Sequence, residues 1–460
     1  MMKRKWIGIV LTFCLLTSLA GCRPVDENPA AGSAGSGSGQ TVQLGVADLP
    51  PSDLGDGFCF VGEEMDLTDV SVDVFRESYD TEGNIMISPL SLITALTMTA
   101  RGAEGGTLAQ MEEAFDIDLD YFTSYLGYFL GSLEDRPAKF TSANSIWIRD
   151  DAERLTVNEQ FVVDAEAYFD ADVFKAAFDK GTVKDINHWA SEKTDGMIPQ
   201  LLEEIKEDEV MHLINALCFD AKWQHPYESW NVTKGEFLNA DGGTGKADFM
   251  YGEEFCYLED NAVKGFVKPY EGGFSLVALV PKGGVLEICG YPTAEGLAEG
   301  EEPVHGETYG TYTGEFTAEA LSKYVESMTG DSLRQLLDSQ TEVMVKTKLP
   351  VFTSEYSVDL IPALEALGIE DLFDETAADL SGMATSSRGN IFISKVFQKT
   401  FIEVDTEGTR AAAVTDIAAS DSAAMVEPDY KEVYLDRPFL YMIVDDVTGV
   451  PVFMGTVTEL

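Results

Sequence analysis

From Leu213 to Trp223 the chain reads LINALCFDAKW, an apolar run broken only by Asn215, Asp220 and Lys222. A run of this length without clean alternation is what a strand covered on both faces requires. Such a strand needs a layer of packing on each side, so the chain has to build a large sheet buried within a layered body. Other segments supply the layers. Ser88-Pro89 reads as the start of a helix, with Ser88 as N-cap and Pro89 in the first turn. Leu92, Ala95, Leu96 and Thr99 follow at helical spacing, while Met98 and Ala100 lie off that stripe, so this helix is expected to be buried on most faces.

Thr107 is placed to cap a second helix carrying Met111, Ala114 and Phe115. A helix is read from Asp185 to Leu202 with a break at Gly196, and another from Val358 to Leu367 ending in Gly368. Strands are read at Ser142 to Arg149, Gly265 to Lys268, Ser275 to Pro281, Val343 to Leu349, Phe439 to Val444 and Val452 to Val457. Helices early and strands late point to an α+β class. Residues 288–316 are rich in Gly, Glu and Thr and read as an exposed acidic insertion.

The first residues belong to none of this. Lys3, Arg4 and Lys5 precede an apolar run from Trp6 to Leu16, the pattern of a secretory signal. Leu19-Ala20-Gly21-Cys22 resembles the lipobox of bacterial lipoproteins, which implies a signal over 1–21 and lipidation of Cys22. The Ala-Gly-Ser tract from Ala30 to Gly39 makes 22–50 a flexible tether, with the folded body over 51–460. An exported protein held by lipid on the outer face of a bacterial membrane is therefore expected.

A formal charge of −49 leaves no basic cluster to neutralise phosphates, which argues against nucleic acid and heparin as partners. His188, His212, His225 and His305 form no HExxH and neighbour no GxSxG, and no P-loop is present. Cys59, Cys218, Cys256 and Cys289 show no metal-ligand spacing, and buried thiols or one or two disulfides remain open for them. Neither an enzyme nor a bound metal or cofactor is expected.

Several motifs in one order carry a family. NIMISPLSLITALTMTARGAEGGTLAQM from Asn84, ANSIWI from Ala143, INHWASEKTDGMI from Ile186 and INALCFDAKW from Ile214 resemble the serpins. So do LPVF from Leu349, ADLSGM from Ala378 and RPFLYMIVDDVTGVPVFMG from Arg437. The resemblance runs over about residues 60 to 460. It implies three β-sheets, eight or nine helices and an exposed reactive-centre loop, here over 406–430. In inhibitory serpins that loop enters the central sheet as a new strand once a protease cuts it, and traps the protease as an acyl-enzyme.

The loop's hinge would be Gly408, Thr409, Arg410, Ala411, Ala412 and Ala413. A strand has period two, so Thr409, Ala411, Ala413, Thr415, Ile417 and Ala419 share one face and Arg410, Ala412, Val414, Asp416, Ala418 and Ser420 the other. Every charge is in the second set, so the first can be buried without burying an ion. Family spacing from Gly408 and from the RPF anchor both place the cut at Ser422-Ala423, with Ala423-Ala424 and Met425-Val426 as alternatives. Side chains this small suit elastase-like or subtilisin-like serine proteases. Fourteen steps from Gly408 to Ser422 span nearly 50 Å at roughly 3.3 Å each.

By the same resemblance, Ser88, Ser91 and Asn215 lie where the sheet parts, and Trp223 beside the mouth of that opening. Gln398 stands where many members have His. Thr406 and Arg410 replace acids common in the family, with little effect expected. The resemblance thus implies a monomeric inhibitor that is not an enzyme. The rival is a noninhibitory serpin serving as a cell-surface binding module through the acidic insertion.

Overall fold

The computed structural model describes residues 41–45, 49–52, 54, 67–81, 83–115, 118–134, 136–151, 155–206, 209–282, 285–288, 310–313, 317–387, 389–409 and 430–460. The lipidation residue Cys22, the proposed cut at Ser422-Ala423 and the hinge residues Arg410, Ala411, Ala412 and Ala413 lie outside them. So do Cys59 and Cys289, whereas Cys218 is a buried thiol and Cys256 a half-buried one.

The first half of the chain forms β1 (Val42–Gln43), α1 (Thr68–Glu77), β2 (Ile85–Ile87), α2 (Pro89–Ala100), α3 (Gly105–Phe115), α4 (Leu119–Glu134), β3 (Lys139–Arg149), β4 (Leu155–Val157), α5 (Glu159–Phe169), β5 (Asp172–Ala176) and α6 (Lys180–Lys193). It continues with β6 (Met211–Lys222), β7 (Val232–Leu238), β8 (Thr244–Glu259), β9 (Val263–Pro269), β10 (Phe274–Pro281), β11 (Val285–Ile288) and β12 (Gly310–Thr313). The remainder is α7 (Thr317–Ser327), α8 (Gly330–Asp338), β13 (Thr341–Pro350), β14 (Phe352–Asp359), α9 (Ile361–Ala366), β15 (Ala384–Ser386), β16 (Val396–Val404), β17 (Gly408–Thr409), β18 (Tyr430–Tyr434), β19 (Phe439–Asp445) and β20 (Pro451–Val457).

A seven-stranded central sheet runs β1-β5-β3-β6-β17-β16-β14. A nine-stranded array runs β18-β13-β8-β9-β10-β19-β20-β2, with β7 on β8. The long β8 joins two sheets in that array: its first half pairs with β7 and its middle with β13, while its last residues pair with β9. With that join the three expected sheets are present, together with nine α-helices among the described residues. β6 is covered on both faces, as its composition requires. Ile214 and Ala216 pack with Ile186, Trp189 and Ala190 of α6, while Leu217, Phe219 and Ala221 pack with Phe266 and Phe274 of the second array.

Ser88 caps α2 through its side chain, which accepts from the Ser91 amide, and every residue of α2 is buried. Thr94, Thr97 and Thr99 satisfy their hydroxyls on carbonyls four residues back, which lets a polar residue sit inside a core helix.

Three expected boundaries move. The helix read from Asp185 to Leu202 is α6, which starts at Lys180 under a capping box of Asp179 and Thr182 and ends at Lys193. Asp195 and Gly196 then take positive φ, and Leu201 and Leu202 are held by the Asn187 side chain. The helix read from Val358 shrinks to α9, because Val358 and Asp359 pair with Gln398 and Phe397 as the end of β14. Thr107 lies within α3 and accepts from the Asp379 amide, so it tethers a loop and caps nothing.

Two further stretches take structure. Residues 285–288 and 310–313 pair as a two-stranded ribbon, so Ile288 and residues 310–313 of the stretch read as an insertion are strand. Val42 and Gln43 pair with Lys175 and Phe174 of β5, so the last part of the stretch assigned to the tether joins the central sheet.

Candidate functional site

The expected sheet-opening residues sit along the seam between β6 and β16. These strands run parallel and pair directly from Leu213 with Val396 to Cys218 with Phe401. Asn215 and Gln398 face each other across that seam. Gln398 is locked to the N-cap of α2 in both directions. Its Oε1 accepts from the Ser88 amide at 2.8 Å, and its Nε2 donates to the Ser88 carbonyl at 3.0 Å. A side-chain amide has one acceptor and one donor end, and here both are used, which explains how glutamine serves at this position.

Ser88 Oγ donates to the Val452 carbonyl at 2.7 Å, and Ser91 Oγ lies 3.2 Å from Ser142 Oγ. Asn215 donates from Nδ2 to Asn144 Oδ1 at 2.8 Å, while its own Oδ1 is buried with no partner. Ser88, Ser91, Asn215 and Gln398 therefore form one polar track between α2 and the seam. Each bond crossing it is a side-chain bond that can be exchanged without unfolding a helix.

Above Cys218 the strands part. Gly408 pairs with Lys222 and Thr409 with Ala221, both antiparallel, while Thr409 also pairs with Val404. The two residues of β17 are thus already a strand wedged between β6 and β16. Asp405 folds the turn that delivers them: its Oδ1 accepts from the amides of Glu407 at 2.8 Å and Gly408 at 3.1 Å. Glycine is required at 408, because a Cβ there would meet the Ala221 carbonyl oxygen at 2.1 Å.

Trp223 and Tyr270 hold the mouth. Their rings stack at 4.1 Å between centroids and 14° between planes. Trp223 donates from its indole N–H to the Asp405 carbonyl and from its amide to the Glu407 carbonyl, both at 2.9 Å. Tyr270 Oη lies 2.7 Å from Thr409 Oγ1. Burial pushes the Tyr270 phenol far above its ordinary pKa, so it stays neutral and able to donate.

Beneath the aromatic pair, Lys268 donates to Glu254 at 2.7 Å and to the His225 carbonyl at 3.1 Å, and lies 4.2 Å from the Tyr227 ring centroid. Burial raises the Glu254 carboxyl and lowers the Lys268 ammonium, each opposed by the other's charge. Neither Tyr270 nor the Lys268–Glu254 pair was anticipated from sequence. Lys268 ends a segment read only as a strand, Tyr270 follows it and Glu254 lies on β8, which is absent from the strands read from sequence, and no local motif links them to the hinge.

Among the described residues no group of three or more His, Cys, Asp and Glu side chains is arranged to hold a metal. The site is a seam between β6 and β16 that parts above Cys218 to hold the two residues of β17 between the strands.

The chain belongs to the serpin family: the family model described as serpin (serine protease inhibitor) matches residues 65–298 and 316–460. It is 30% identical over 399 residues to leukocyte elastase inhibitor A of Rattus norvegicus, covering 82% of this chain and 93% of that one. It is 28% identical to antithrombin-III of Bos taurus, covering 83% and 78%. Its structure matches native tengpin, a thermophilic serpin, with a TM-score of 0.76 and 35% identity over 92% of this chain and 100% of that one.

Proposed function

We propose that this serpin is a suicide inhibitor of serine proteases. A protease cuts the loop at Ser422-Ala423, stays bound as the acyl-enzyme, and is carried along the central sheet as the loop inserts between β6 and β16. The observation that carries this reading is the pairing of Gly408 with Lys222 and of Thr409 with both Ala221 and Val404, which supports insertion of the following residues in the same register.

In that register Ile417 reaches Leu213 of β6 and Val396 of β16, the far end of their direct pairing. Thr409, Ala411, Ala413, Thr415 and Ile417 then share the face occupied by Phe219, Leu217 and Asn215. Thr415 falls between Asn215 and Gln398, where the unpartnered Asn215 oxygen can take its hydroxyl. About a dozen new backbone pairs at roughly 1 kcal/mol each make insertion favourable by on the order of 10 kcal/mol.

Elastase-like or subtilisin-like proteases are the proposed targets. Small residues around the cut support this, as does the elastase-inhibitor name of the rat relative. The protein acts as a monomer, exported and held by lipid at Cys22 on the outer face of a bacterial membrane.

The test mixes the body lacking Cys22 with an elastase-like and a subtilisin-like protease and runs the products on a denaturing gel. A band of summed mass that survives denaturation is expected, with a released peptide beginning at Ala423. Clean loop cleavage with full protease activity remaining would overturn the inhibitory reading. For the anchor, a Cys22→Ser variant is expected to lose incorporation of labelled fatty acid.

A further inference from the structure

Residues 223–227 follow β6 and belong to no strand or helix, apart from an isolated bridge between Trp223 and Tyr270. Yet they carry the turn that leads into β17. The Trp223 indole donates to the Asp405 carbonyl at 2.9 Å, the Tyr227 amide to the Thr406 carbonyl at 2.8 Å, and the Trp223 amide to the Glu407 carbonyl at 2.9 Å. Three consecutive carbonyls of the hinge turn thus rest on one short irregular segment.

One side chain braces that segment from behind. Lys268 of β9 donates to the His225 carbonyl at 3.1 Å, and its ammonium lies 5.1 Å from the Trp223 ring centroid and 4.2 Å from that of Tyr227. It therefore contacts residues 223, 225 and 227, while the neighbouring Pro269 carbonyl accepts from the Gln224 amide at 3.0 Å. Lys268 is 3% exposed, and Glu254, which accepts from it at 2.7 Å, is 6% exposed. Leu276 opposite Lys268 on β10 and Val345 opposite Glu254 on β13 are buried and apolar, so neither strand adds a charge at its facing position.

A buried ion pair is weak evidence for stability, because apolar side chains of similar volume often serve as well or better. A methionine at 268 would fill the space between the two rings. It would not donate to the His225 carbonyl. What the site gains from lysine is therefore a fixed place for residues 223–227, and Glu254 supplies the counter-charge that a buried ammonium needs.

We infer that Lys268 is a positioning residue for the hinge: it fixes residues 223–227, which in turn hold the turn at 405–407 and set Gly408 and Thr409 between β6 and β16. Its effect on trapping a protease rests on the inhibitory reading above. Its effect on the hinge itself does not.

The test compares the full chain with Lys268→Met/Glu254→Leu and with Glu254→Gln by hydrogen exchange and melting temperature, neither of which needs a protease. The double variant strands no buried charge, so it should melt no lower than wild type. The amides of Trp223 and Tyr227 should nevertheless exchange about tenfold faster in it, the effect of losing one hydrogen bond to a charged donor, while those of β10 keep their rates. Glu254→Gln should do the reverse: it melts lower, because the ammonium loses its counter-charge, but it keeps wild-type exchange at Trp223 and Tyr227, because the bond to His225 remains. Wild-type exchange at these two amides in the double variant, or faster exchange spread evenly through β10, would overturn the inference, as would loosening of the two amides in Glu254→Gln. With the protease that gives the covalent band, the stoichiometry of inhibition of the double variant should rise several-fold, because a hinge free to leave its place delays entry of the loop. Faster exchange with unchanged stoichiometry would overturn the link to trapping and uphold the positioning of the hinge. Absence of a covalent band with every protease tried would overturn the inhibitory reading, and the exchange rates would still decide the role of Lys268.

Discussion

The hydroxyl of Thr409 lies 2.7 Å from the phenol of Tyr270, with both side chains fully buried, so the hinge is bonded into the central sheet before any protease arrives. Removing one partner leaves the other unsatisfied in the core, which costs about 1–3 kcal/mol. Tyr270→Phe is expected to lower the melting temperature by about 1–3 °C. The double variant Tyr270→Phe/Thr409→Val should recover most of that loss, because neither side then strands a polar group. Calorimetry on the four proteins of this cycle decides it, and additive losses would show that the bond is not what holds the hinge.

Thr409 also sets the polarity of the inserted face. Its position is fully buried, so a guanidinium placed there has to be desolvated or expelled. Thr409→Arg is expected to turn the inhibitor into a substrate, with the stoichiometry of inhibition rising at least tenfold and the loop still cut at the same bond. Unchanged stoichiometry would count against insertion as the trapping step.

Arg410 gives a test of the register of insertion. In a strand inserted in the register of Thr409, residue 410 would fall between Asp220 of β6 and Glu403 of β16. Opposite charges facing each other across strands contribute roughly 0.2–1 kcal/mol per pair, and like charges are destabilising by similar amounts. Arg410→Glu should therefore raise the stoichiometry of inhibition several-fold, and Arg410→Ala by less. Equal stoichiometry for Arg410→Glu and wild type would show that insertion does not follow the register of β17.

What the sequence revealed and what it hid follow from local chemistry. β6 and α2 were legible because their burial is written in consecutive apolar residues and in the Ser88-Pro89 start. β16 was hidden. It alternates buried and half-buried residues, but two of its buried positions are Gln398 and Thr400, whose polar groups are satisfied by Ser88 and by the Met86 carbonyl, residues more than three hundred positions away. The start of α6 was missed because Asp179 and Thr182 form a box in which threonine replaces the usual glutamate or glutamine. The hinge could be located only through the family's order of motifs. Its partners Tyr270 and Trp223 are brought together by sheet topology, which no short window of sequence contains.

The N-terminal strap gives a prediction about the sheet's outer edge. β1 covers β5, and Ser52 then anchors the segment on α5, donating from its amide and hydroxyl to the two oxygens of buried Asp164 at 2.7 and 2.6 Å. Hydrogen bonds to a charged acceptor contribute about 1.5–3 kcal/mol. With the anchor lost, β5 would present an unpaired edge, the arrangement that favours pairing between copies. Asp164→Ala is expected to bring the onset of aggregation, followed by light scattering during heating, several degrees lower than in wild type. Unchanged onset would show that the strap is passive.

At the opposite end of β6, Glu209 and His212 give a pH dependence whose sign can be worked out. Burial pushes the Glu209 carboxyl up, but hydrogen bonds from His212 at 2.9 Å and from the Lys206 amide outweigh it, so its pKa lies below the ordinary 4.5. A carboxyl with a depressed folded-state pKa adds stability that is fully present above its unfolded value and is lost as pH falls through the folded one. Glu209→Gln should accordingly lower the melting temperature by about 2 °C at pH 7. The gap between variant and wild type should narrow below pH 4.5 as wild-type Glu209 takes up its proton. Melting curves at pH 7, 5, 4 and 3.5 test this. A gap that stays constant to pH 3.5 would mean that the variant's loss comes from altered packing around His212 rather than from the ionised carboxylate.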